Sequence, residues 1–259
     1  MTSFEFDGKK YRNASIHQKE WGTKVLGDLS FKGNERVLDL GCGEGTLTQK
    51  ISQFVPNGYV LGIDVSKGMI ETAKEFSKDN LNFQLMDINE IEFDSEFDII
   101  FSNAALHWVK DHETLLKNVY KAIKPNGIIR FNFAGDGNCS NFYCVVKEVM
   151  AYPNFKEKFN MFEWPWYMPK INEYETLANK FRYKEIKVWE ENADRYFNSP
   201  DEMTKWIEQP SIVPFLNYLN GKERKEFRDI VVQKMINITK QDDGTCFETF
   251  RRINVYAKK

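Results

Sequence analysis

Histidine and cysteine are scarce in this chain of 259 residues, and their scarcity removes whole classes of chemistry. The 4 cysteines, Cys42, Cys139, Cys144 and Cys246, contain no CxxC pair, and the 3 histidines, His17, His107 and His112, show no ligand spacing. That pattern gives neither a zinc site nor a disulfide framework, so reduced thiols and no bound metal are expected. Long apolar runs are missing as well. Nothing approaches the roughly 20 residues that span a bilayer, and the opening "MTSFEFDGKKYRNASIHQ" lacks the apolar centre of a signal peptide. A cytoplasmic location and no membrane partner are expected. Nor does one sign of charge prevail: 36 Lys and Arg stand against 38 Asp and Glu, a formal net charge of −2. No global field draws such a chain to phosphate backbones, which leaves nucleic acid out of the expected partners.

What is present is 42% hydrophobic residues, enough for a sizeable core, set in a regular order. As far as about residue 134, short β-branched runs alternate with amphipathic stretches, the pattern of parallel strands joined by helices. "RVLDL" (36–40), "YVLGIDV" (59–65), "LNFQLMD" (81–87), "FDIIFSN" (97–103) and "GIIRFNF" (127–133) are the expected strands. Between them "TLTQKISQFV", "KGMIETAKEFSK" and "HETLLKNVYKAI" have helical spacing, the last ended by "KPNG" at 124–127. Beyond about residue 135 the rhythm gives way to aromatic-rich helical segments, with strands expected at 183–197 and 245–257. The simplest architecture is a doubly wound sheet whose strands six and seven lie at those positions, with helices inserted before and between them as a cap.

"LDLGCGEG" places Gly41, Gly43 and Gly45 where the first strand turns into a helix. Such a turn lets a ligand approach bare backbone while N–H groups at the helix start face an electronegative group. A dinucleotide fingerprint is GxGxxG with an acid about twenty residues on; this loop is GxGxG. Asp64 ends the second strand, where its carboxylate can accept from both hydroxyls of a ribose, a use common to NAD and adenosylmethionine. Asp87 ends the third strand. There it can accept from an adenine amino group, with Ile88 offering apolar contact and a backbone N–H, or it can be a solvated loop acid. Met69 lies within reach of the adenine face and can equally be core.

"VLDLGCGEG", "GIDVSKGM", "QLMDI", "FDIIFSNAALHWV" and "LLKNVYKAIKPNGIIRF" match, in order and spacing, the consecutive motifs of class I adenosylmethionine-dependent methyltransferases, which residues 35–134 therefore resemble. "FSNAALHWVKDHETLLKN", with "YRNASIHQ" before the fold, looks more narrowly like the trans-aconitate and juvenile hormone acid methyltransferase group, whose acceptors are carboxylates on small molecules. The resemblance implies an α/β fold with the Rossmann-like seven-stranded class I sheet. It also implies three segments: a helical 1–34 closing over the cofactor, a cofactor-binding core at 35–134, and at 135–259 a helical cap with the last two strands. Adenosylmethionine would be the cofactor and S-adenosylhomocysteine the product. By the family's pattern Asp39 and the Gly41–Cys42–Gly43 backbone would hold the methionine end, Asp64 the ribose, Asp87 with Ile88 the adenine, and the Asn103 carbonyl the ammonium; Val65 and Met69 are counted with these cofactor contacts.

Above the fourth strand stands "NAALHWV". Enzymes that methylate exocyclic amines use N/D-P-P-Y/F here, and residues 104 and 105 are not proline. A carboxylate acceptor is already anionic at neutral pH and needs no base, so transfer can rest on positioning and desolvation. His107 and Trp108 would supply imidazole and indole N–H groups, and Gln18 an amide if the N-terminal helix folds over the site; Tyr11 anchors the same motif. Each has a plainer use in packing or on the surface. "FEWPWYMP" and "WIEQPSIVPF" would line an apolar acceptor pocket or bury the cap. Two alternatives stand beside the acid: an acceptor oxygen, nitrogen or carbon on another metabolite, for which His107 would be the base, and cofactor binding without catalysis. A monomer or homodimer acting on a small molecule is expected.

Overall fold

The β-branched runs become strands, and the reason is burial on both faces. The computed structural model describes Gly8 and residues 16–259, so Tyr11 and most of the first fifteen residues lie outside the described part. In chain order its elements begin with helix α1 (Ile16–Gly27), strand β1 (Arg36–Leu40), α2 (Thr46–Phe54) and β2 (Tyr59–Asp64). Next come α3 (Lys67–Ala73), β3 (Leu81–Leu85), β4 (Phe97–Asn103), α4 (His112–Ala122) and β5 (Ile123–Ala134). A 7-stranded sheet runs in the order β3-β2-β1-β4-β5 and is completed by two later strands, β9 (Arg251–Lys258) and then β6 (Glu185–Asn192) at its edge. The first five strands pair in parallel, and β9 pairs antiparallel with β5. This is the expected doubly wound α/β sheet.

Alternation along each strand sorts residues between two layers. Val37, Val60, Ile99 and Phe101 pack with Ile51 of α2, Ile70 of α3 and Val25 of α1. Leu38, Leu61, Ile100 and Phe131 pack on the opposite face with Leu115 and Val119 of α4. Asp39 therefore points with Val37 toward α2. On β5 and β9 the α1 side carries Arg130, Asn132, Arg252 and Asn254, none more than 3% exposed. Alternating polar residues usually mark a solvated face; here α1 covers them, and each finds partners in the others.

The chain divides into two compact units. The first comprises residues up to 136 with 166–191 and 252–259; the second comprises 137–165 and 192–251. The second unit holds α5 (Ser140–Met150), α7 (Pro200–Trp206), α8 (Val213–Leu216) and α9 (Gly221–Thr239), plus a two-stranded antiparallel sheet of β7 (Arg195–Phe197) and β8 (Cys246–Glu248). Phe142, Phe155, Phe159, Trp206, Phe215 and Phe227 fill its interior. The buried Glu248 carboxylate accepts from the backbone N–H groups of Asn141 (3.2 Å) and Phe142 (2.9 Å), closing the start of α5 from more than a hundred residues away.

Two local expectations change. The strands expected at 183–197 and 245–257 are each broken: β6 and β9 join the large sheet, whereas β7 and β8 pair with each other. Ala193 N–H donates to the Phe250 carbonyl at 2.8 Å, and Asp194 accepts from Phe250 N–H at 2.9 Å, so this cross-tie turns both chains at the break. "KPNG" is a bulge inside β5 rather than a turn before it. Ile123 already pairs with Phe97, Ile128 with Ile99, and Asn126 takes φ 67° between them. Helix α6 (Ile171–Ala178), in the first unit, went unread; it opens with a Glu173 capping contact to Lys170 N–H.

His112, at the start of α4, ties the layers together. Its Nε2 lies 2.9 Å from the Leu106 carbonyl, which can only accept, so Nε2 carries the proton and Nδ1 accepts from the Tyr174 hydroxyl at 3.1 Å. Burial pushes its pKa down to about 4, against smaller upward pulls from the Leu106 carbonyl and Asp111. The unfolded chain takes up that proton near pH 6.5 and the folded chain does not until about 4. Stability contributed by neutral His112 is thus full above pH 6.5 and is lost on acidification, by about 3 kcal/mol at the limit. Urea unfolding of wild type and His112→Gln at pH 7.5, 6 and 4.5 is expected to show the variant's deficit shrinking as pH falls; a constant deficit would contradict it.

Candidate functional site

The glycine loop leaving β1 answers to three neighbours. Gly41, Gly43 and Gly45 take φ of 72°, 56° and 85°. Gly41 and Cys42 both donate backbone N–H to the Ile63 carbonyl, at 2.8 and 2.9 Å, which stitches the loop to the end of β2. A Cβ on Gly41 would stand 2.2 Å from the Ala105 Cβ. One on Gly43 would meet none of the described residues within 4 Å, so bare backbone there is uncovered by them. The buried Cys42 thiol has its pKa pushed up by burial and then by the nearby carboxylates, which keeps it a thiol.

Three acids end the first three strands. Asp39 is 2% exposed and accepts from the Thr48 hydroxyl at 2.7 Å. Burial raises its pKa to about 7; the Thr48 bond opposes this and the charge of Asp64 adds to it. Asp64 accepts from Gly43 N–H through one oxygen and from Ser66 N–H through the other, both at 2.9 Å. Asp87 caps the short turn Ile88–Glu90 by accepting from Asn89 N–H at 2.8 Å. Ile88 is buried, Val65 is exposed beside Asp64, and so is Leu85 at the end of β3, which leaves an apolar ledge at this edge. Met69 is buried in α3, where Ser66 caps the helix by accepting from its N–H at 3.4 Å.

Beyond Asn103 the chain turns sharply. Ala104 holds φ 57°, a left-handed conformation in a residue other than glycine, and donates its N–H to the Asn132 carbonyl at 2.7 Å. That turn carries Ala105 over Gly41 and starts the short helix Leu106–Trp108. His107 and Trp108 sit together there, ring centroids 5.6 Å apart. Tyr167 N–H donates to the His107 carbonyl at 2.8 Å, and Trp166 meets Trp108 edge-on at 5.6 Å. The motif "FEWPWYMP" is therefore divided, with Phe162–Pro165 in the second unit and Trp166–Pro169 in the first. The His107 Nδ1 is buried and has no hydrogen-bond partner among the described residues. Burial first, then the Arg252 guanidinium and His112, push its pKa well below the ordinary histidine range, so the ring is neutral at pH 7.

Asp39, the glycine loop, Asp64, Val65, Asp87, Ile88, Asn103, His107 and Trp108 thus line consecutive strand ends of one sheet edge. Gln18 lies on α1, and its side chain falls outside the described part. Thr48, Ser66 and Ala105 were not singled out from sequence, and Trp166 and Tyr167 were named only within "FEWPWYMP". Ser66 had a readable signal, a serine just before an amphipathic run; the contact of Ala105 with Gly41 and that of Trp166–Tyr167 with the His107 turn had none, because they join residues far apart in the chain. Among the described residues no group of His, Cys, Asp and Glu could hold a metal ion, and no described helix is long and apolar enough to cross a membrane.

A glycine-rich turn after β1 and acids at the next two strand ends define a Rossmann-like nucleoside-binding fold. Within it the chain belongs to the methyltransferase-domain family, whose model matches residues 31–207, the family of adenosylmethionine-dependent enzymes. Trans-aconitate 2-methyltransferase of Deinococcus radiodurans is 26% identical over 77% of this chain and 78% of its own. Malonyl-[acyl-carrier protein] O-methyltransferase of Priestia megaterium is 30% identical over 61% of this chain, which spans 57% of that protein's length. Among solved structures, Haemonchus contortus phosphoethanolamine N-methyltransferase 2 in complex with S-adenosyl-L-methionine superposes with a TM-score of 0.62 at 21% identity, over 97% of this chain and 56% of that one. The fold and the family agree.

The Gly41 contact is open to a direct test. Gly41→Ala adds a methyl that must share space with Ala105 and a positive φ that alanine tolerates poorly, a combined cost of about 2–4 kcal/mol. Ala105→Gly in the same chain should return the steric part and leave about 1 kcal/mol. Urea melts of the single and double variants measure this; a double variant no better than Gly41→Ala would show that the two loops do not meet.

Proposed function

We propose that this protein transfers a methyl group from adenosylmethionine to a carboxylate oxygen of a small acid. The observation that carries the reading is His107, a neutral ring with a buried, unmatched Nδ1 at the strand edge where an acceptor would lie. A nitrogen so hard to protonate is a poor base at neutral pH, but it orients an acceptor by hydrogen bonding. An acid acceptor asks for no more, because its oxygen is already anionic. The names of the Deinococcus and Priestia relatives, which speak of trans-aconitate and of O-methyl transfer to a malonyl carrier protein, support the same class.

The residues present fit the cofactor. Gly43, uncovered by the described residues, leaves room for close backbone approach. The Asp64 carboxylate, at the end of β2, suits a diol, Val65 and Leu85 offer apolar surface to a planar base, and Asp87 has an oxygen left after its turn contact. When bound, adenosylmethionine supplies an electrophilic methyl carbon. Asp39 and the Asn103 carbonyl would face its ammonium, Trp108 would present its indole N–H or its ring face to the acceptor, and the Trp166–Tyr167 clamp holds that turn in place. Water exclusion by the two tryptophans and positioning by His107 are what the chain contributes to the rate.

Asp39 makes cofactor affinity pH-dependent. A carboxyl with a pKa of about 7 is half protonated at neutral pH, and an ammonium beside it favours the ionised form, so binding expels a proton. Calorimetry with S-adenosylhomocysteine is expected to show affinity falling toward tenfold per pH unit below 7, with proton release that depends on buffer, and Asp39→Asn should abolish the dependence. Asp64→Ala should weaken binding by about 1.5–3 kcal/mol at every pH. Affinity that ignores pH in wild type would remove Asp39 from the ammonium subsite.

Acceptor chemistry separates by a pH profile. With adenosylmethionine saturating at every pH, and with trans-aconitate and a panel of small acids, amines and phenols followed by mass spectrometry, methylation of an acid should proceed at a rate flat from pH 6 to 8. His107→Gln should keep the rate within about tenfold, the scale of one hydrogen bond. A steep acidic limb that vanishes in His107→Gln would make this histidine a base, and the acceptor an amine, a phenol or a carbon acid.

A further inference from the structure

The backbone of the short helix Leu106–Trp108 is tied from two directions. From within, the Trp108 and Val109 N–H groups close on the Ala105 and Leu106 carbonyls at 3.0 and 2.9 Å. From outside, the Leu106 carbonyl also accepts from His112 Nε2 at 2.9 Å, and the His107 carbonyl accepts from Tyr167 N–H at 2.8 Å. The two outside donors belong together, since the His112 and Tyr167 ring centroids lie 4.6 Å apart. All of these residues belong to the first compact unit.

Tyr174 of α6 stands behind them. Its hydroxyl lies 3.1 Å from His112 Nδ1, and its ring meets Phe133 edge-on at 4.9 Å, with the His112 ring centroid 5.4 Å from each. Burial pushes the Tyr174 pKa well above the ordinary phenol range, so the hydroxyl keeps its proton and donates it. Nδ1 of His112 is then the acceptor, and the ring's own proton sits on Nε2, the nitrogen that faces the turn. A neutral ring of either tautomer would suit the apolar core. The direction of the N–H is the further feature, because it is aimed at the residue before His107. Tyr174 is 0% and His112 2% exposed, so neither can touch a substrate, and an effect of either on transfer must pass through the turn.

From this chain of contacts we infer that His112 and Tyr174 are positioning residues for methyl transfer: by aiming the His112 Nε2–H at the Leu106 carbonyl, the pair holds the turn that presents His107 and Trp108 to the acceptor. The inference rests on the reading of His107 as the acceptor's orienting group and adds the residues that fix its aim. The turn needs such support because it starts from the left-handed backbone of Ala104, which an alanine relieves by rotating away. A misplacement of about 1 Å at a reacting centre can cost about a hundredfold in rate. A ring carried on a short loop keeps its place only if the residues beneath it are themselves locked by packing and hydrogen bonds. His112 meets that requirement on every side, with Leu106, Tyr174, Tyr167 and Phe133 around one imidazole.

The test uses the full chain at neutral pH. Ring signals are read by NMR on protein isotope-labelled at histidine and saturated with S-adenosylhomocysteine, those of His107 being identified by their loss in His107→Gln. Turnover is read with adenosylmethionine and trans-aconitate as the probe. His112→Gln places an amide N–H where Nε2 stood and keeps the tie to Leu106. His112→Asn reaches only as far as Nδ1, so it can meet Tyr174 but leaves the Leu106 carbonyl without this donor. Wild type and His112→Gln should give one sharp set of His107 signals and kcat within about threefold of each other. His112→Asn should split or broaden that set and lower kcat about tenfold, the scale of one hydrogen bond, with S-adenosylhomocysteine affinity held within about threefold as the check on folding. Tyr174→Phe, which removes only a hydroxyl, should divide the His112 signals between two tautomers and broaden those of His107. A packing role moves the two His112 variants together, so an equal loss in His112→Gln overturns the inference. So does a His112→Asn protein that binds S-adenosylhomocysteine with the His107 signals of wild type. If His112→Asn does not bind it, Tyr174→Phe decides, and unchanged signals from both histidines overturn the inference. Trans-aconitate left unmethylated by wild type, while the His107 signals divide as expected, overturns the choice of acceptor and leaves the positioning role standing.

Discussion

Two loops from neighbouring strands cross with no side chain between them, at Gly41 and Ala105, and the geometry of the whole edge follows from that crossing. Because Gly41 lacks a Cβ, the loop after β1 can lie under the loop after β4 while Gly41 and Cys42 both donate to Ile63. That places the Gly43 N–H on Asp64. On the other side, Ala104 adopts a backbone conformation that costs about 1 kcal/mol or more so that Ala105 can be the residue at the crossing. His107 and Trp108 then fall above the sheet edge rather than alongside β4. A methyl group at one point would displace an acid at one end of the edge and the paired rings at the other.

The same sheet keeps its buried charges apart. Asp39 is enclosed on the β1 side, with Asp64 partly enclosed next to it, and their mutual repulsion contributes to the raised pKa of Asp39. Arg130 and Arg252 are enclosed on the β5–β9 side. Leaving a carboxylate and a guanidinium unneutralised within one small core would be costly. Each has short local contacts: Thr48 for Asp39, the Asp28 carboxylate for Arg130, Asn132 and an indole face for Arg252.

How far this was legible depended on how local each cause is. β1 and β4 coincide with the apolar runs that announced them, and the glycine loop, Asp64 and Asp87 stand where a strand must end. Those features depend on contiguous residues. By contrast, "IIRFNF" alternates as a solvated strand would, and only the placement of α1 over it makes Arg130 and Asn132 interior residues. The breaks at 193–194 and 249–250 were hidden for the same reason, since Asp194 turns the chain by accepting from Phe250 N–H, a contact between residues 56 apart. Met69 is buried in α3 together with Ile70 and Ala73, a placement its neighbours in the sequence do not announce. "FEWPWYMP" reads as one aromatic motif and serves two units, because the boundary falls at Pro165 and Trp166.

The position of β9 has a consequence for how the protein is made. The strand lies between β5 and β6 in the sheet but comes after both in the chain, and its Asn254 meets Asn132, 122 positions earlier. While a ribosome is still producing the segments between them, β5 has an open edge of unpaired N–H and C=O groups, and its Arg130 and Asn132 have no neighbour from β9. Contacts of such separation form late and slowly, and an open apolar edge in the meantime is a site for pairing with other chains. The polar residues on β5 then act a second time. A guanidinium and an amide along the uncovered face keep the half-built sheet hydrated until the strand that completes it arrives.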